Sequence, residues 1–367
     1  MGELCSIKSG KSDTQDAVED GAYAFFDRSR TIKRSSRYLY DCEALIIPGE
    51  GTEFLPKYFS GKFDLHQRAY ALFNFADGID IMFLYYFLHY KSDYFPQVAV
   101  GATVKSLRLR HFEQLPVSLT TLPEQHRIVA ILDEAFEGIA TAKAHAEKNL
   151  KNARAVFESH LNAVFSQRGY GTAGRRLSEV CREITVGHVG SMAKQYRITG
   201  VPFLRSQNIK PFEISLDNIV FIDDDFHAAL KKSRLRPGDL AIVRTGYPGT
   251  AAVIPQDLPD ANCSDLVIIR TAPEVSPYYL AAFFNSSYGR ELVGAKIVGA
   301  AQKHFNITAA KKVVLTIPPI SVQERVIALI DAIRTETQRL ESLYQQKITA
   351  LDQLKTSLLH QAFSGAL

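Results

Sequence analysis

Two long stretches of the chain each carry a single apolar stripe. Between residues 122 and 166, apolar side chains recur at Ile128, Leu132, Ala135, Ile139, Ala142, Ala146, Leu150, Ala153, Phe157, Leu161 and Val164, in steps of three and four. That period predicts an α-helix with one buried face. The stretch has no proline after Pro123 and one glycine, Gly138. A second stretch repeats the pattern with Val326, Ile330, Ile333, Leu340, Tyr344, Ile348, Leu351, Leu354, Leu359 and Ala362, while Thr337 and Lys355 interrupt its register. Thr121-Leu122-Pro123-Glu124 and Ser321-Val322-Gln323-Glu324 both read as capping boxes. Roughly 44 residues at 1.5 Å each make a rod of about 65 Å. Two striped rods bury their stripes most simply as an antiparallel coiled coil; the alternative packs each on its own globule.

The remaining sequence, residues 1–116 and about 175–315, reads as mixed α and β. Short β-rich runs at Glu43–Ile47, Asp239–Val243 and Leu266–Arg270 are bounded by turns such as Pro48-Gly49-Glu50-Gly51 and Arg236-Pro237-Gly238-Asp239. Aromatic-rich Phe83–Tyr90 and Tyr278–Phe284 read as equivalent short helices. Their rings suit either a core or stacking on unpaired bases, and the compact apolar run favours the core.

These resemblances belong to one internal repeat. Val100-Gly101-Ala102 recurs 198 residues later as Val298-Gly299-Ala300. At the same offset Lys105, Gln125, Arg127, Ala130 and Asp133 recur as Lys303, Gln323, Arg325, Ala328 and Asp331, and Phe165-Ser166 as Phe363-Ser364. No gap is needed from residue 100 to 166. Upstream the register slips: Glu3-Leu4-Cys5 resembles Glu179-Val180-Cys181, Gly10 aligns with Gly187, and Glu43–Ile47 with Asp239–Val243, so the second copy carries insertions. The expected fold class is α+β, with two mixed α/β domains joined by two long helices. The expected boundaries are 1–120 and 169–318 for the globules, 121–168 and 319–367 for the rods.

Composition adds little. The chain has 367 residues, 46% hydrophobic and 22% charged, with a formal charge of +4. Such a balance permits nucleic-acid binding without arguing for it, so any DNA footprint must be local. Cys5, Cys42, Cys181 and Cys263 are scattered and form no C-x-x-C pair, which disfavours a zinc site and, with no secretory signal, predicts a reduced cytoplasmic protein. The run Ile79–Tyr90 is too short to cross a bilayer and contains Asp80 and His89.

Local clusters are more informative. Arg28, Arg30, Lys33, Arg34 and Arg37 fall within ten residues that contain no acid, with Ser29, Ser35 and Ser36 between them. Arginine and serine bind phosphate, and arginine also reads guanine edges. The corresponding stretch of the second copy is Arg205-Ser206-Gln207-Asn208, whose Arg, Gln and Asn suit bidentate contacts to guanine and adenine. A second segment, Gly101 to Arg108 with Thr103, Lys105 and Arg108, pairs with Gln302, Lys303 and His304; a glycine turn running into cations can meet phosphate. A third, His66-Gln67-Arg68, lies opposite Asn262. Lys8 and Lys11 with their counterpart His188, and Arg244-Thr245 after the second β-run, complete the candidate DNA-contacting set. Each cluster has a plainer reading as a solvated loop or a closed turn.

Catalytic motifs are not evident. Ser9-Gly10-Lys11-Ser12 ends like a Walker A loop, but the motif needs glycine where Cys5 stands. There is no Asn-Pro-Pro-aromatic element, no acid pair with lysine of nuclease type, and His188, His227 and His304 show no ligand spacing.

The segment Leu122-Pro123-Glu124-Gln125-His126-Arg127-Ile128-Val129-Ala130-Ile131-Leu132-Asp133 resembles the helix start of Type I restriction–modification specificity subunits. So do Ala146–Leu150 leading to Phe157-Glu158-Ser159, and the end Leu358–Gly365. The resemblance covers essentially the whole chain and is most specific in the rods. It implies a non-catalytic subunit with two target-recognition domains, each reading one half of a bipartite double-stranded DNA site, separated by the antiparallel helices. It implies docking of two adenine-methyltransferase subunits and, through them, restriction/translocase subunits. S-adenosylmethionine, ATP and Mg²⁺ would belong to those partners, with no cofactor or metal in this chain. One departure is a chain that begins almost at Gly2-Glu3-Leu4-Cys5, with a first globule shorter than the second, which predicts a trimmed first recognition domain. Alternatives are the specificity subunit of a Type IIB-like system, a protein-binding scaffold with a coiled-coil spacer, and an NTPase using Lys11.

Overall fold

The computed structural model describes residues 1–166, 174–192, 194–295 and 304–367. It forms two compact units, Met1–Glu147 with Gln345–Leu367, and Lys148–Tyr344. Both striped stretches are helices of 45 residues, Leu122–Ser166 and Ile320–Ser364, called here the first and second rods. Each unit therefore contains one globule and a part of each rod.

In the first unit, six strands form one sheet: β1 (Ser6–Ser9), β2 (Tyr23–Phe26), β3 (Lys33–Ser35), β4 (Tyr40–Pro48), β5 (Lys57–Leu65) and β6 (Ala69–Phe73), in the order β1-β6-β4-β5-β2-β3. All neighbours are antiparallel except β2 and β5, which run parallel with Phe25 opposite Asp64. The second half of β4, Ala44 to Pro48, is apolar at every position because both faces are covered. Leu45 and Ile47 face the aromatic helix Ile81–Tyr90, while Ala44 and Ile46 face Phe26 and Phe63. Asp80 caps that helix by accepting from the Phe83 N–H at 2.9 Å. Phe83 and Phe87 are 2% exposed, so the run that also suited base stacking is core. Their rings meet Phe363 of the second rod at 5.1 and 5.5 Å, and Ile128 and Leu132 of the first rod join the same core. The rods are antiparallel here: Lys143 pairs with Asp352 at 2.7 Å, and Arg127 donates to the main-chain oxygen of Leu367 at 3.0 Å.

The second unit rebuilds this plan with a divided sheet. One four-stranded sheet orders Ala251–Val253, Leu240–Val243, Leu266–Thr271 and Cys181–Val186; the other orders Val220–Ile222, Val201–Leu204, Ala261–Cys263 and Arg234–Leu235. Ala251–Val253 pairs antiparallel to Leu240–Ile242, as β5 pairs with β4, whereas Ala261–Cys263 runs parallel to Val201–Leu204, as β5 runs with β2. One strand of the first unit is thus two in the second. The break falls at Ile254–Asp260, where Pro255 and Pro259 cannot donate to a ladder. The helix Pro277–Asn285 takes the place of Ile81–Tyr90. Its Tyr279 and Phe283 meet Phe165 of the first rod at 5.3 and 5.6 Å, with Leu161, Val326 and Ile330 in the neighbouring core. Arg154 and Glu341 pair at 2.6 Å, so the rods are antiparallel in this unit as well.

A buried glutamine ties each rod to its globule. Gln125, 1% exposed, accepts from the Asp80 N–H (2.9 Å) and donates to the carbonyls of Gly78 (3.0 Å) and Thr120 (2.9 Å). Gln323, fully buried, accepts from the Ser276 N–H (2.9 Å) and donates to the carbonyls of Glu274 (2.9 Å) and Pro318 (2.7 Å). This corrects one sequence expectation. The second rod begins at Ile320, so the cap position is Pro319, whose carbonyl accepts from the N–H groups of Val322 (2.8 Å) and Gln323 (3.1 Å), and Ser321 lies inside the first turn. The stripe also differs locally. Leu354 is 47% exposed, and the Lys355 ammonium lies over the Phe136 ring at 4.9 Å, a cation–π contact where the stripe called for a hydrophobe. Thr337, read as an interruption, is buried.

Candidate nucleic-acid interface

In the first unit, the segments singled out by sequence meet beyond the ends of the parallel pair β2 and β5. Backbone bonds join them. The N–H groups of Lys11 and Ser12 donate to Leu65 O (3.1 and 3.2 Å), Gln67 N–H to Ser12 O (2.9 Å), and His66 N–H to Phe26 O (2.9 Å). The N–H groups of Gly49 and Gly51 donate to Arg68 O (2.7 Å) and Lys105 O (3.0 Å), and Lys57 Nζ donates to Ser29 O (2.7 Å). Gly10 permits the close approach, since a Cβ there would lie 1.8 Å from Leu65 O. The exposed side chains collected at this end are Lys11, Arg28, Arg30, Gln67, Arg68 and Lys105. His66 is buried and acts locally, its Nδ1 accepting from the Arg68 N–H at 3.0 Å. Ser29 donates its hydroxyl to Thr31 O at 2.7 Å.

The second unit gathers the equivalent segments. His188 N–H donates to Cys263 O (2.7 Å), Ser264 N–H to Leu204 O (3.0 Å), and Phe305 N–H to Arg244 O (3.1 Å). Arg244 pairs with Asp265 at 3.5 Å, Thr245 Oγ1 and His304 Nδ1 lie 2.9 Å apart, and Ser206 Oγ donates to Asp265 O at 3.4 Å. Arg205 donates to Asn218 O at 2.7 Å and stacks on Tyr196 at 5.7 Å, and Gln207 is exposed. Arg205-Ser206-Gln207-Asn208 follows the strand that runs parallel to Ala261–Cys263, just as Asp27 to Arg30 follow β2. The two stretches therefore occupy the same place in the fold.

Other candidates are placed differently. Asn208 is fully buried, and its amide donates to Ser215 O and Asp217 O (3.0 and 3.2 Å) while Oδ1 accepts from the Arg205 N–H at 3.0 Å. Asn262 is also fully buried and donates to Leu230 O at 3.2 Å. Both amides brace backbone behind the surface. Lys8 lies on β1 with its ammonium 6.0 Å from the Phe73 centroid, and Arg34 donates to Gly21 O and Ala22 O (2.8 and 3.2 Å). Thr103 and Arg108 are exposed on the stretch around Lys105. Gln302 and Lys303 lie outside the described residues.

The fold also supplies the acids missing from the local sequence. Glu50 receives both Arg28 (3.9 Å) and Arg68; Arg30 meets Glu53 (2.5 Å), Lys33 meets Asp27 (2.6 Å), and Arg37 meets Asp16 (3.0 Å) and Asp64 (3.5 Å). Burial pushes the Asp27 carboxyl up, but the bonds from Lys33 and Ser29 outweigh it and hold it below the usual range. The same network answers the Walker-like reading. Ser12 is buried, and its hydroxyl donates to both Asp64 carboxylate oxygens (2.8 and 2.7 Å), which leaves it turned away from any phosphate beside Lys11.

One exposed group escaped the sequence reading. Tyr247 is 85% exposed at the tip of the turn between Leu240–Val243 and Ala251–Val253, flanked by Gly246 and Gly249 at positive φ. The signal was present in Gly246-Tyr247-Pro248-Gly249, since an aromatic inside so tight a Gly/Pro turn has no core to enter. Among the described residues, no group of three or more His, Cys, Asp or Glu side chains could hold a metal ion, and no helix is long and apolar enough to cross a membrane.

Residues 1–152 match the family described as the Type I restriction modification DNA specificity domain. The chain is 28% identical over 148 residues to the Type I restriction enzyme EcoDI specificity subunit of Escherichia coli, covering 40% of this chain and 33% of that protein. It is 21% identical over 289 residues to the EcoKI specificity subunit of Escherichia coli strain K12, covering 74% of this chain and 61% of the relative. The matched parts thus span less than two thirds of these relatives' own lengths. Two solved structures share the fold at 16% identity over 100% of this chain. One comes from work on complex assembly and conformational transition of the type I R-M system (TM-score 0.76, 97% of that chain). The other is the HsdS subunit from Thermoanaerobacter tengcongensis (TM-score 0.59, 96% of that chain).

Proposed function

We propose that this protein is the DNA-reading subunit of a Type I restriction–modification complex and performs no chemistry itself, a reading supported by the match of residues 1–152 to the Type I restriction modification DNA specificity domain and by the similarity to Type I specificity subunits. Each unit reads one half of a bipartite double-stranded site. The chain docks two adenine-methyltransferase subunits and, through them, restriction/translocase subunits. S-adenosylmethionine, ATP and Mg²⁺ serve those partners, and the complex works in the cytoplasm.

One observation carries this reading. The same arrangement, basic and amide side chains beyond the end of a parallel strand pair, is built twice in one chain at positions related by the repeat; the cations are exposed in the first unit, while in the second Gln207 is exposed and Arg205 and Arg244 are partly buried. Phosphate contacts from Lys11, Arg28 and Lys105 would fix register, while Arg68, Arg205 and Gln207 offer forks and amides to base edges. Co-expression with an adenine methyltransferase, followed by sequencing of methylated adenines, tests it. The expected result is one bipartite motif, with Arg205→Ala relaxing a single half by about 1–3 kcal/mol of discrimination. Methylation without any motif, or relaxation of both halves together, would refute the reading.

A further inference from the structure

We propose that Glu50, aided by Glu53, is an electrostatic brake on the DNA-facing arginines of the first unit. The inference rests on the DNA reading above and names a specificity-determining carboxylate within it. Glu50 is the sheltered member of its cluster. Its side chain is 14% exposed, against 60% for Arg28 and 53% for Arg68. Its position is fixed from beneath: Glu50 and Ser106 form a β-bridge, Ser106 Oγ donates to the carboxylate at 3.2 Å, and the next N–H, of Gly51, donates to Lys105 O at 3.0 Å. Arg28 comes from the β2–β3 loop and Arg68 from the β5–β6 turn, so one fixed carboxylate holds guanidiniums from two separate segments. Arg30 and Glu53 form a more exposed pair beside them, at 84% and 51%.

The consequence follows from what each ligand asks of an arginine. Phosphate is bound by charge, and its sequence-independent affinity grows with the counterions that free cations displace. A guanine edge presents neutral acceptors and is bound by direction, through the planar fork of N–H donors. A guanidinium already paired with a carboxylate has lost much of its net charge but keeps its remaining donors in a fixed plane. Glu50 therefore subtracts from non-specific phosphate binding more than from base reading. In the second unit the aligned position is Gly246, and Arg244 is opposed instead by Asp265 at 3.5 Å, 43% exposed, which makes a looser brake.

The test uses the full chain and a random-sequence duplex of about 30 base pairs, with binding read by fluorescence anisotropy from about 50 to 200 mM salt. Glu50→Gln should bind several-fold to about tenfold tighter at low salt, and its slope of log K against log salt should steepen by about 1–2, since two guanidiniums are released. Adding Arg68→Ala should remove about half of that change. Equal slopes for wild type and a Glu50→Gln protein of unchanged melting temperature overturn the brake. If Glu50→Gln melts early, Glu53→Gln carries the same test, with a slope steeper by about one expected and an unchanged slope refuting the proposal. Failure of every protein to bind the duplex at the lowest salt would overturn the DNA reading itself, an outcome distinct from binding with equal slopes.

Discussion

Replacing Gln125 by Glu is the most incisive perturbation of the fold, because it changes one donor group inside a closed, fully paired site. Wild-type Gln125 makes three bonds: it accepts from the Asp80 N–H and donates to Gly78 O and Thr120 O. A carboxylate keeps the first and loses both donations. The two carbonyls are then left unpaired, at about 1–3 kcal/mol each, and face a negative charge. A stronger bond from the Asp80 N–H returns one such increment at most, so the expected loss near pH 7.5 is about 3–5 kcal/mol. Protonation restores a donor, so the carboxyl's folded-state pKa must lie above its unfolded value. The deficit is then full above the folded pKa and shrinks as pH falls through it towards the unfolded value, about 4.3. Gln323→Glu should behave alike, since Gln323 makes the same three bonds to Ser276, Glu274 and Pro318. A chain of two units need not melt in one step, so the assay is hydrogen exchange resolved by peptide. Protection should fall around Ile81–Tyr90 and the first-rod start in Gln125→Glu, and around Pro277–Asn285 and the second-rod start in Gln323→Glu. Deficits below about 1 kcal/mol, or deficits independent of pH, would show that these amides do not anchor the rods.

Two further outcomes are expected. Burial first, and Lys355 second, push the His89 pKa down to about 4, so the unfolded chain takes up its proton before the folded one as pH falls below about 6.5. The first unit should lose on the order of 3 kcal/mol between pH 6.5 and 4 that a His89→Leu protein does not lose; parallel pH profiles of urea midpoints would refute this. Tyr247→Ala should leave the melting temperature within about 1 °C, because the ring is 85% exposed, yet weaken duplex binding about five-fold or more through the lost hydroxyl and ring contacts to the groove or backbone. Unchanged binding would remove Tyr247 from the interface.

The rods were legible in sequence because a long stripe of period 3.6 admits few other solutions, and the repeat reads it twice. The slip at Leu354 and Lys355 shows the limit: a lysine ammonium over the Phe136 ring makes a cation–π contact, which a binary pattern scores as a break. The candidate interface was legible in part. Residue type located the segments that meet beyond the parallel strands, but it could not tell a side chain facing outward from one bracing the backbone. An asparagine amide satisfies two carbonyls as readily as an adenine edge, and Asn208 and Asn262 are spent that way. Nor could it pair the arginines, because Glu50 and Glu53 reach Arg68 and Arg30 only after strands β4 and β5 have formed. The divided sheet of the second unit was visible only as slippage in the repeat, since an insertion near Pro255 and Pro259 reads equally as a loop or a broken strand.

The gapless register of the repeat between residues 100 and 166, against slippage upstream, has a physical source in how the cores are shared. The first unit's core takes Ile128 and Leu132 from the start of the first rod, but Leu359, Ala362 and Phe363 from the end of the second. The second unit takes Val326 and Ile330 from the start of the second rod, but Leu161 and Phe165 from the end of the first. Each rod therefore answers to a different globule at its two ends. A single residue inserted mid-rod turns one end by about 100° relative to the other and carries an aromatic anchor off its partner helix. An insertion in a globule loop such as Ile254–Asp260 disturbs only its own unit. Rod length and phase are thus constrained at both ends by packing that each globule requires, whereas loop length is free to vary, which is the pattern the aligned copies display.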